Sequence, residues 1–410
     1  MIVLTGADLV LPDRILAAAT LTIDDGRIAE IRADSPAAGS SPFAFHDHTI
    51  VPGFIDVHVH GVCGTDTLDD GAAVQRIADA LPRFGVTSFC PTTVACAPAD
   101  LRRVLTQVRL ARESPQRASA RVLPAHLESN FINPDYCGAQ PLTCLRAAVR
   151  SGSGATRAGS GDFTTSDILD VVETHAPDIA VMTLAPELDG ALDLIAWLTS
   201  RGIRVSLGHS GATCEQGLTA IAAGAHRATH LFNRMPPLHH RNPGLAGAVL
   251  QSDEVAVELI CDGVHVHPAL VRMVVAAKKP SRVMAISDGT AAAALPSGAS
   301  ARLGGRTIVA ADTCARLPDG TLAGSTITMD EGFRRLIGTM GVSMVDAATM
   351  CATTPARELG LVGHGVLAEG AAADLVVLDR RGSVVQTYIS GRLAYARRSH
   401  EGNSAVARSV

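Results

Sequence analysis

The sequence predicts an α/β protein: a (β/α)8 TIM-like barrel joined to a small β-sandwich domain formed from both chain ends. Three observations carry this expectation. Short apolar runs of strand character alternate with helical stretches through the middle of the chain, the pattern of parallel strands joined by helices. There are eight such runs, at 54–59, 87–91, 122–127, 179–184, 204–208, 227–230, 255–261 and 283–287, and eight units suggest a closed barrel. Short alternating segments stand at both ends of the chain, and because isolated hairpins are marginal, the two ends are expected to share one sheet system.

The expected division places residues 1–50 in the first part of the small β domain, 51–364 in the barrel, and 365–410 in the second part of the β domain and a tail. Near the N-terminus, Leu21, Thr22 and Ile23 and the stretch 27–31 flank Asp24-Asp25-Gly26, a hairpin-type turn. Near the C-terminus, 374–378 and 384–389 flank a polar turn, with Ser390 and Gly391 after them. Helices are expected at 68–84, after the first barrel strand, and at 191–200, before the fifth. The Gly/Ser-rich segment 151–161 has no strand leading in and no Lys-Ser/Thr following, so it reads as a flexible connection and not a phosphate loop. The tail after 398 is expected to be disordered.

Composition narrows the function. A chain of 410 residues with 47% hydrophobic content can bury a large core, yet no apolar run approaches the roughly 18 residues of a membrane span. The opening MIVLTGADLVLPD has acidic residues early and no basic region before an apolar stretch, so the expected location is the cytoplasm. A net charge of -5 without basic clusters gives no support for nucleic-acid binding. Nine cysteines without a CxxC pair argue against a fully paired disulfide framework. Cys63 is read as a small buried thiol and not as a ligand.

The chemistry centres on FIDVHVHGVCG at 54–64, where Ile55, Val57 and Val59 alternate with Asp56, His58 and His60. That period puts both imidazoles on one face of a strand's end, where they can hold one metal ion. Taken alone, histidines satisfied by hydrogen bonds account for the pattern as well. Further along, Glu128 ends the third strand, His209 the fifth, His230 the sixth and Asp288 the eighth. All six residues fall on the C-terminal face of a barrel, where such folds place their chemistry. Histidines with carboxylates suit Zn²⁺ or Fe²⁺ and leave a position for water, whose pKa the ion lowers. Asp288 is placed to act as general base and then as general acid. His46, His48, His175, His226, His364 and His400 have no comparable context.

The blocks PGFIDVHVHG, HLESNFINPDYCGAQP, LGHSGAT, THLFNRMPPLHHRNPGLAG, CDGVHV, ISDGTAAAALP and LAGSTITM cover nearly the whole chain. In content and order they resemble the amidohydrolase superfamily and, within it, the N-acetylglucosamine-6-phosphate deacetylase family. The resemblance implies metal-dependent hydrolysis of the N-acetyl group of N-acetylglucosamine 6-phosphate, giving glucosamine 6-phosphate and acetate. It implies that Glu128, His209 and His230 are the principal metal ligands. His58 and His60 would ligate a second ion that only some members retain, so one or two divalent cations per subunit are expected. Asp288 would be the catalytic acid/base. Asn233 and Arg234 would approach the sugar phosphate by backbone and side chain, and Arg241 would pair with it, for which a planar guanidinium is suited. His265, Ala139 and Gln140 would contact the sugar, and the turn of Leu322, Ala323 and Gly324 would close over it. The resemblance also implies a homodimer in which Arg241 and His265 reach the partner's active site. Read without the family, Arg241 is a solvated loop residue, and His239 and His240 either line the pocket or face water.

Two adjacent positions depart from the family. Where Glu-Gly-Pro is usual after His-Leu, this chain has Glu128-Ser129-Asn130, so the backbone beside the metal loses a Gly and a Pro. A related N-acyl amino sugar, or another N-acyl compound, is therefore the alternative substrate. A cyclic-amide hydrolase bridging two metals with a carboxylated lysine fits poorly, because the only lysines are Lys278 and Lys279 at the end of an expected helix. A non-catalytic scaffold of the same fold is expected to have lost ligands, and all six residues are present.

Overall fold

A computed structural model describes residues 1–33, 44–149 and 162–398. The expected flexible connection at 151–161 and the tail after 398 lie outside the described residues.

The barrel strands are Phe54–Val59, Val86–Thr93, Ala125–Glu128, Ile179–Leu184, Arg204–Leu207, Arg227–Ala228, Ala256–Ile260 and Val283–Ile286. They pair in parallel in chain order. The runs are apolar on both faces because both faces are covered. In the seventh strand, Val257 and Leu259 pack outward with the helix residues Val271 and Val274. Ala256 and Ile260 point inward to Ile55, Val57, Val181 and Met284. The run expected at 122–127 is interrupted: Arg121–Val122 pairs with the second strand on its own. Pro124 separates the two pieces and has no N–H to give a ladder.

Closure comes from the residues that follow the eighth strand. Asp288 N donates to His58 O at 3.0 Å, and His60 N and Gly61 N donate to Gly289 O at 2.8 and 3.0 Å. From below, Ala356 packs into the barrel interior with Leu359 and Leu361 beside it.

The helix expected at 68–84 starts later, at Ala73–Ala80, and continues as a 3-10 turn, Leu81–Phe84. Its first residues are held in turns by Asp66, whose Oδ1 accepts from Leu68 N at 2.7 Å, and by the left-handed Gly71 at φ 72°. The helix expected at 191–200 is Ala191–Thr199.

Strands from both ends form one seven-stranded sheet. Its order is Arg392–Ala396, Val384–Ile389, Leu375–Leu378, Thr49–Pro52, Ile2–Val10, Ile15–Asp24 and Arg27–Arg32. Asp25 and Gly26, at φ 44° and 74°, make the two-residue turn between Asp24 and Arg27 that an Asp-Gly pair favours. The sheet has its own core, including Leu4, Leu21, Ile28, Ile50, Leu375 and Tyr388. Only Gly53 separates Thr49–Pro52 from the first barrel strand, and Gly53 N donates to Asp374 O at 2.9 Å.

One element was not anticipated. After the eighth strand the chain forms a four-stranded antiparallel sheet, Ser300–Leu303, Arg306–Ala310, Cys314–Arg316 and Leu322–Ser325. Leu303, Ile308, Ala315 and Ala323 pack beneath it against Val94 and Ala292. Ser325 N donates to Asp288 O at 2.8 Å, so this sheet is anchored on the barrel's closing residue. A Cβ on Gly324 would lie 2.7 Å from Asp288 O, and its φ is 69°, so that approach requires glycine. Among the described residues no helix is long and apolar enough to cross a membrane.

Candidate active site

The first barrel strand does not keep simple alternation. Ile55 and Val57 face the barrel interior, which would turn His58 outward, but the pairing shifts register between Asp56 and Val59. This irregularity brings His58 and His60 together inside, with their Nε2 atoms 3.2 Å apart. Bulges commonly re-aim side chains beside active sites. His209, His230 and Asp288 also leave their strands in left-handed backbone, at φ 47°, 27° and 46°. Such conformations cost on the order of 1–3 kcal/mol each and cluster where a fixed side-chain direction is needed.

Glu128, His209 and His230 converge. Glu128 Oε1 lies 2.9 Å from His209 Nε2 and 2.8 Å from His230 Nε2, and the two nitrogens are 3.0 Å apart. His209 Nδ1 sits 2.9 Å from the carbonyl of Tyr136, which can only accept, so the proton of the neutral ring is on Nδ1 and Nε2 is bare. With His209 neutral, its bare nitrogen and the Glu128 carboxylate meet in a buried space, an arrangement that a divalent cation satisfies. Zn–N bonds of about 2.0–2.1 Å imply ligand atoms roughly 3.3 Å apart, close to these separations. A second group, His58, His60 and Asp288, lies beside the first. Asp288 Oδ1 is 3.3 Å from His58 Nε2 and 3.4 Å from His60 Nε2, and His60 Nε2 is 3.3 Å from Glu128 Oε2.

Charge in this cluster is strongly coupled. Burial would push the Glu128 carboxyl up, but the charge of His209 and hydrogen bonds from His209, His230 and His60 hold it well below the usual range. Burial opposes ionisation of Asp288 too, and His58 and His60 outweigh it. The His60 imidazolium, which burial disfavours, is instead stabilised by Asp288 and Glu128, raising its pKa to about 10. The buried carboxylates thus create a demand for positive charge that a metal ion fits.

A cavity of about 490 Å³ opens over both groups. Of the residues expected to contact substrate, Ala139, Gln140, Asn233, Arg234, His265, Leu322 and Gly324 line it. His265 belongs to the cavity of its own chain, with Nδ1 2.6 Å from Asp262 Oδ2. Gln140 is almost fully buried: its Oε1 accepts from Ala95 N at 2.8 Å and its Nε2 donates to Glu128 Oε2, so it fixes the Glu128 carboxylate. Ala323 does not reach the cavity and packs in the core of the four-stranded sheet. Arg241 also lies outside it, on an exposed loop with Nη1 2.8 Å from His240 Nε2; His239 and His240 are exposed with it. Cys63 is half-buried against the core and belongs to none of the ligand groups.

The Ser129-Asn130 departure turns inward. Ser129 Oγ donates to Thr183 O at 2.6 Å and accepts from Phe131 N at 3.1 Å. Asn130 Nδ2 donates to the carbonyls of Cys96 and Cys144 at 2.8 and 2.7 Å. Hydrogen bonds brace this backbone, and neither side chain lines the cavity. Lys278 is buried at the end of its helix, where Nζ donates to the carbonyls of Val249, at 3.1 Å, and Ser252, and so is absent from the site.

Sequence reasoning missed the layer beneath the candidate metal-binding groups, formed by His126, Arg227 and Glu258. His126 is held by Val57 O and Thr183 Oγ1, and burial lowers its pKa to about 3. The missed signal was a charged residue in the middle of an otherwise apolar strand, VAVELI, since Glu is almost never fully buried without a partner.

Residues 49–394 match the amidohydrolase family. The chain is 33% identical over 379 residues to N-acetylglucosamine-6-phosphate deacetylase of Bacillus subtilis (strain 168), covering 91% of this chain and 92% of that protein. It is 36% identical to N-acetylgalactosamine-6-phosphate deacetylase of Escherichia coli O157:H7, covering 84% and 87%. Among solved structures, a Mycobacterium smegmatis N-acetyl-D-glucosamine-6-phosphate deacetylase mutant in complex with N-acetyl-D-glucosamine-6-phosphate matches with a TM-score of 0.85 at 32% identity, covering 96% of this chain and 99% of that one. Fold and site together define a barrel hydrolase with side chains able to hold a metal ion gathered at its strand ends. The chain belongs to the amidohydrolase family, and it is a hydrolase acting on an amide.

Proposed function

We propose that the protein hydrolyses the N-acetyl group of N-acetylglucosamine 6-phosphate to glucosamine 6-phosphate and acetate. The observation that carries this reading is the convergence of Glu128, His209 and His230 beside Asp288 in a cavity of about 490 Å³. Glu128, His209 and His230 would hold one divalent ion, Zn²⁺ or Fe²⁺, and His58, His60 and Asp288 would accommodate a second. When bound, such an ion supplies Lewis acidity and acidifies water.

Asp288, kept ionised by its two histidine neighbours, accepts the proton of the attacking water. It returns that proton to the sugar nitrogen as the carbon–nitrogen bond breaks, so the amine leaves neutral. Gln140 keeps Glu128 from swinging away from the ligand position. His265, fixed through Nδ1 by Asp262, presents Nε2 to the sugar hydroxyls. Arg234 lines the cavity, and its guanidinium has no hydrogen-bond or ion-pair partner among the described residues, which suits it to the 6-phosphate. Asn233 and the backbone around it complete that end, and Leu322 and Gly324 cover the sugar.

The enzyme acts as a homodimer in this reading. Arg241 is outside its own cavity and would meet a phosphate only in that of a second copy. The cytoplasmic location fits the nine cysteines, all of which are free thiols.

A second substrate, the C4 epimer N-acetylgalactosamine 6-phosphate, is favoured by one observation, the 36% identity to the Escherichia coli deacetylase of that name. Steady-state kcat/KM for the two phosphorylated epimers and for unphosphorylated N-acetylglucosamine decides among them. The proposal expects the glucose-configured phosphate to be best, and equal efficiency with and without the phosphate would refute the phosphate assignment.

A further inference from the structure

We propose that Glu258, charge-balanced by Arg227, is the positioning residue that makes His58 a metal ligand. The inference rests on the reading above that His58, His60 and Asp288 accommodate a second ion.

Glu258 lies in the seventh strand, fully buried, and its Oε2 is 3.0 Å from His58 Nδ1. A carboxylate can only accept, so it holds the ring proton on Nδ1 and leaves Nε2 bare. That Nε2 faces His60 Nε2 at 3.2 Å and Asp288 Oδ1 at 3.3 Å, inside the second ligand group. Without an acceptor at Nδ1 the proton is free to occupy either nitrogen, and the ring is free to turn.

Arg227 completes the arrangement. Its Nη2 is 3.5 Å from Glu258 Oε1, its side chain is fully buried, and its Nε and Nη1 have no hydrogen-bond partner among the described residues. A buried ion pair with unpartnered donors adds little to stability, and apolar side chains often replace one at no loss. The barrel therefore does not need this pair for packing, whereas His58 needs the carboxylate. Glu258 is not a ligand of a third ion in the group His58, His126 and Glu258. The Arg227 guanidinium, 3.5 Å from Glu258 Oε1, already supplies positive charge to that carboxylate, and both His126 ring nitrogens are engaged, with Val57 O at 3.2 Å and Thr183 Oγ1 at 2.8 Å.

The test is a Zn²⁺ titration of metal-free, full-length protein followed by calorimetry, on wild type, His58→Ala and Glu258→Gln. His58→Ala identifies which of two binding events belongs to the second group. Glu258→Gln is expected to weaken that event by roughly ten- to a hundredfold, the usual cost of removing a carboxylate behind a metal-binding imidazole, and to leave the other within about twofold. A merely structural role would weaken both events alike. Glu258→Gln binding both ions as wild type overturns the positioning role while the two-ion reading stands. A single event in wild type, unchanged in His58→Ala, overturns the two-ion reading and this proposal with it. If Glu258→Gln does not fold, the double variant Arg227→Met with Glu258→Gln leaves no unpaired buried charge and is read by the same criteria.

Discussion

The backbone amide of Asp288 donates to the carbonyl of His58 across 3.0 Å, so the residue that carries the proposed proton transfer also closes the barrel. The same segment receives the four-stranded sheet through Ser325, whose amide bonds to Asp288 O. Asp288 is thus held by the first strand on one side and by the covering sheet on the other. This explains how a carboxylate in left-handed backbone keeps a single direction toward His58 and His60.

Asp288→Asn preserves the size of the side chain and these backbone bonds but cannot accept a proton. Turnover is expected to fall by at least the roughly 10²–10⁴-fold typical of general acid/base groups. The ion at Glu128, His209 and His230 should remain. Near-normal turnover at unchanged metal content would move the proton to another group.

Arg234 and Arg241 separate by position. Arg234→Ala should lower kcat/KM for the phosphorylated sugar by about ten- to a hundredfold, the worth of one charged hydrogen bond of about 1.5–3 kcal/mol, and leave the unphosphorylated sugar unaffected. Arg241 lies outside the cavity of its own chain, so mixing Asp288→Asn with Arg241→Ala protein should restore part of the activity through hybrid dimers. Demonstrated subunit exchange without recovery argues against sharing.

Asn130→Ala strands the carbonyls of Cys96 and Cys144. The expected loss is about 1–3 kcal/mol of stability, measured by denaturant or thermal unfolding, with the ratio of kcat/KM between the phosphorylated and unphosphorylated sugars unchanged. A change in that preference would mean that this loop shapes the sugar pocket after all.

Asp374 joins the terminal sheet to the barrel, with Oδ2 2.9 Å from both Arg121 Nη1 and His364 Nδ1, and Oδ1 accepting from Ser390 N at 2.7 Å. Burial alone would raise its pKa, but these partners lower it to about 2 from the usual 3.8. Because the folded value is the lower one, its contribution is present above the unfolded pKa and disappears as pH falls through the folded one. Stability measured from pH 5 down to pH 2 should therefore decline through this window, with Asp374 supplying on the order of 2 kcal/mol at the upper end. In Asp374→Asn this part of the decline should be missing, and an unchanged profile would assign the acid sensitivity elsewhere.

Much of this was legible from residue types alone. The eight apolar runs showed the barrel because both faces of each strand are buried, and the residues that converge at the site were legible because they end those runs. The sheet at 300–325 was not, since its strands are short, partly exposed and broken by turns. The Gly304-Gly305 pair between Leu303 and Arg306, at φ 55° and 81°, is nevertheless a hairpin signal. The inward phase of His58 depends on an irregularity in pairing that alternation cannot reveal. Sequence could not show that Ser129 and Asn130 face the protein, or that Gln140 holds Glu128, because both depend on packing between loops of different strands. Arg241 was placed by resemblance alone, and geometry puts it outside its own site.

The most direct measurement is acetate release from N-acetylglucosamine 6-phosphate by metal-replete protein, with glucosamine 6-phosphate quantified in the same reaction. The account predicts equimolar acetate and free amine, loss of both after chelation, recovery on adding back Zn²⁺ or Fe²⁺, and little product from Asp288→Asn. Metal-replete wild-type protein that leaves the amide intact, or cleaves it equally well after complete metal removal, would contradict it.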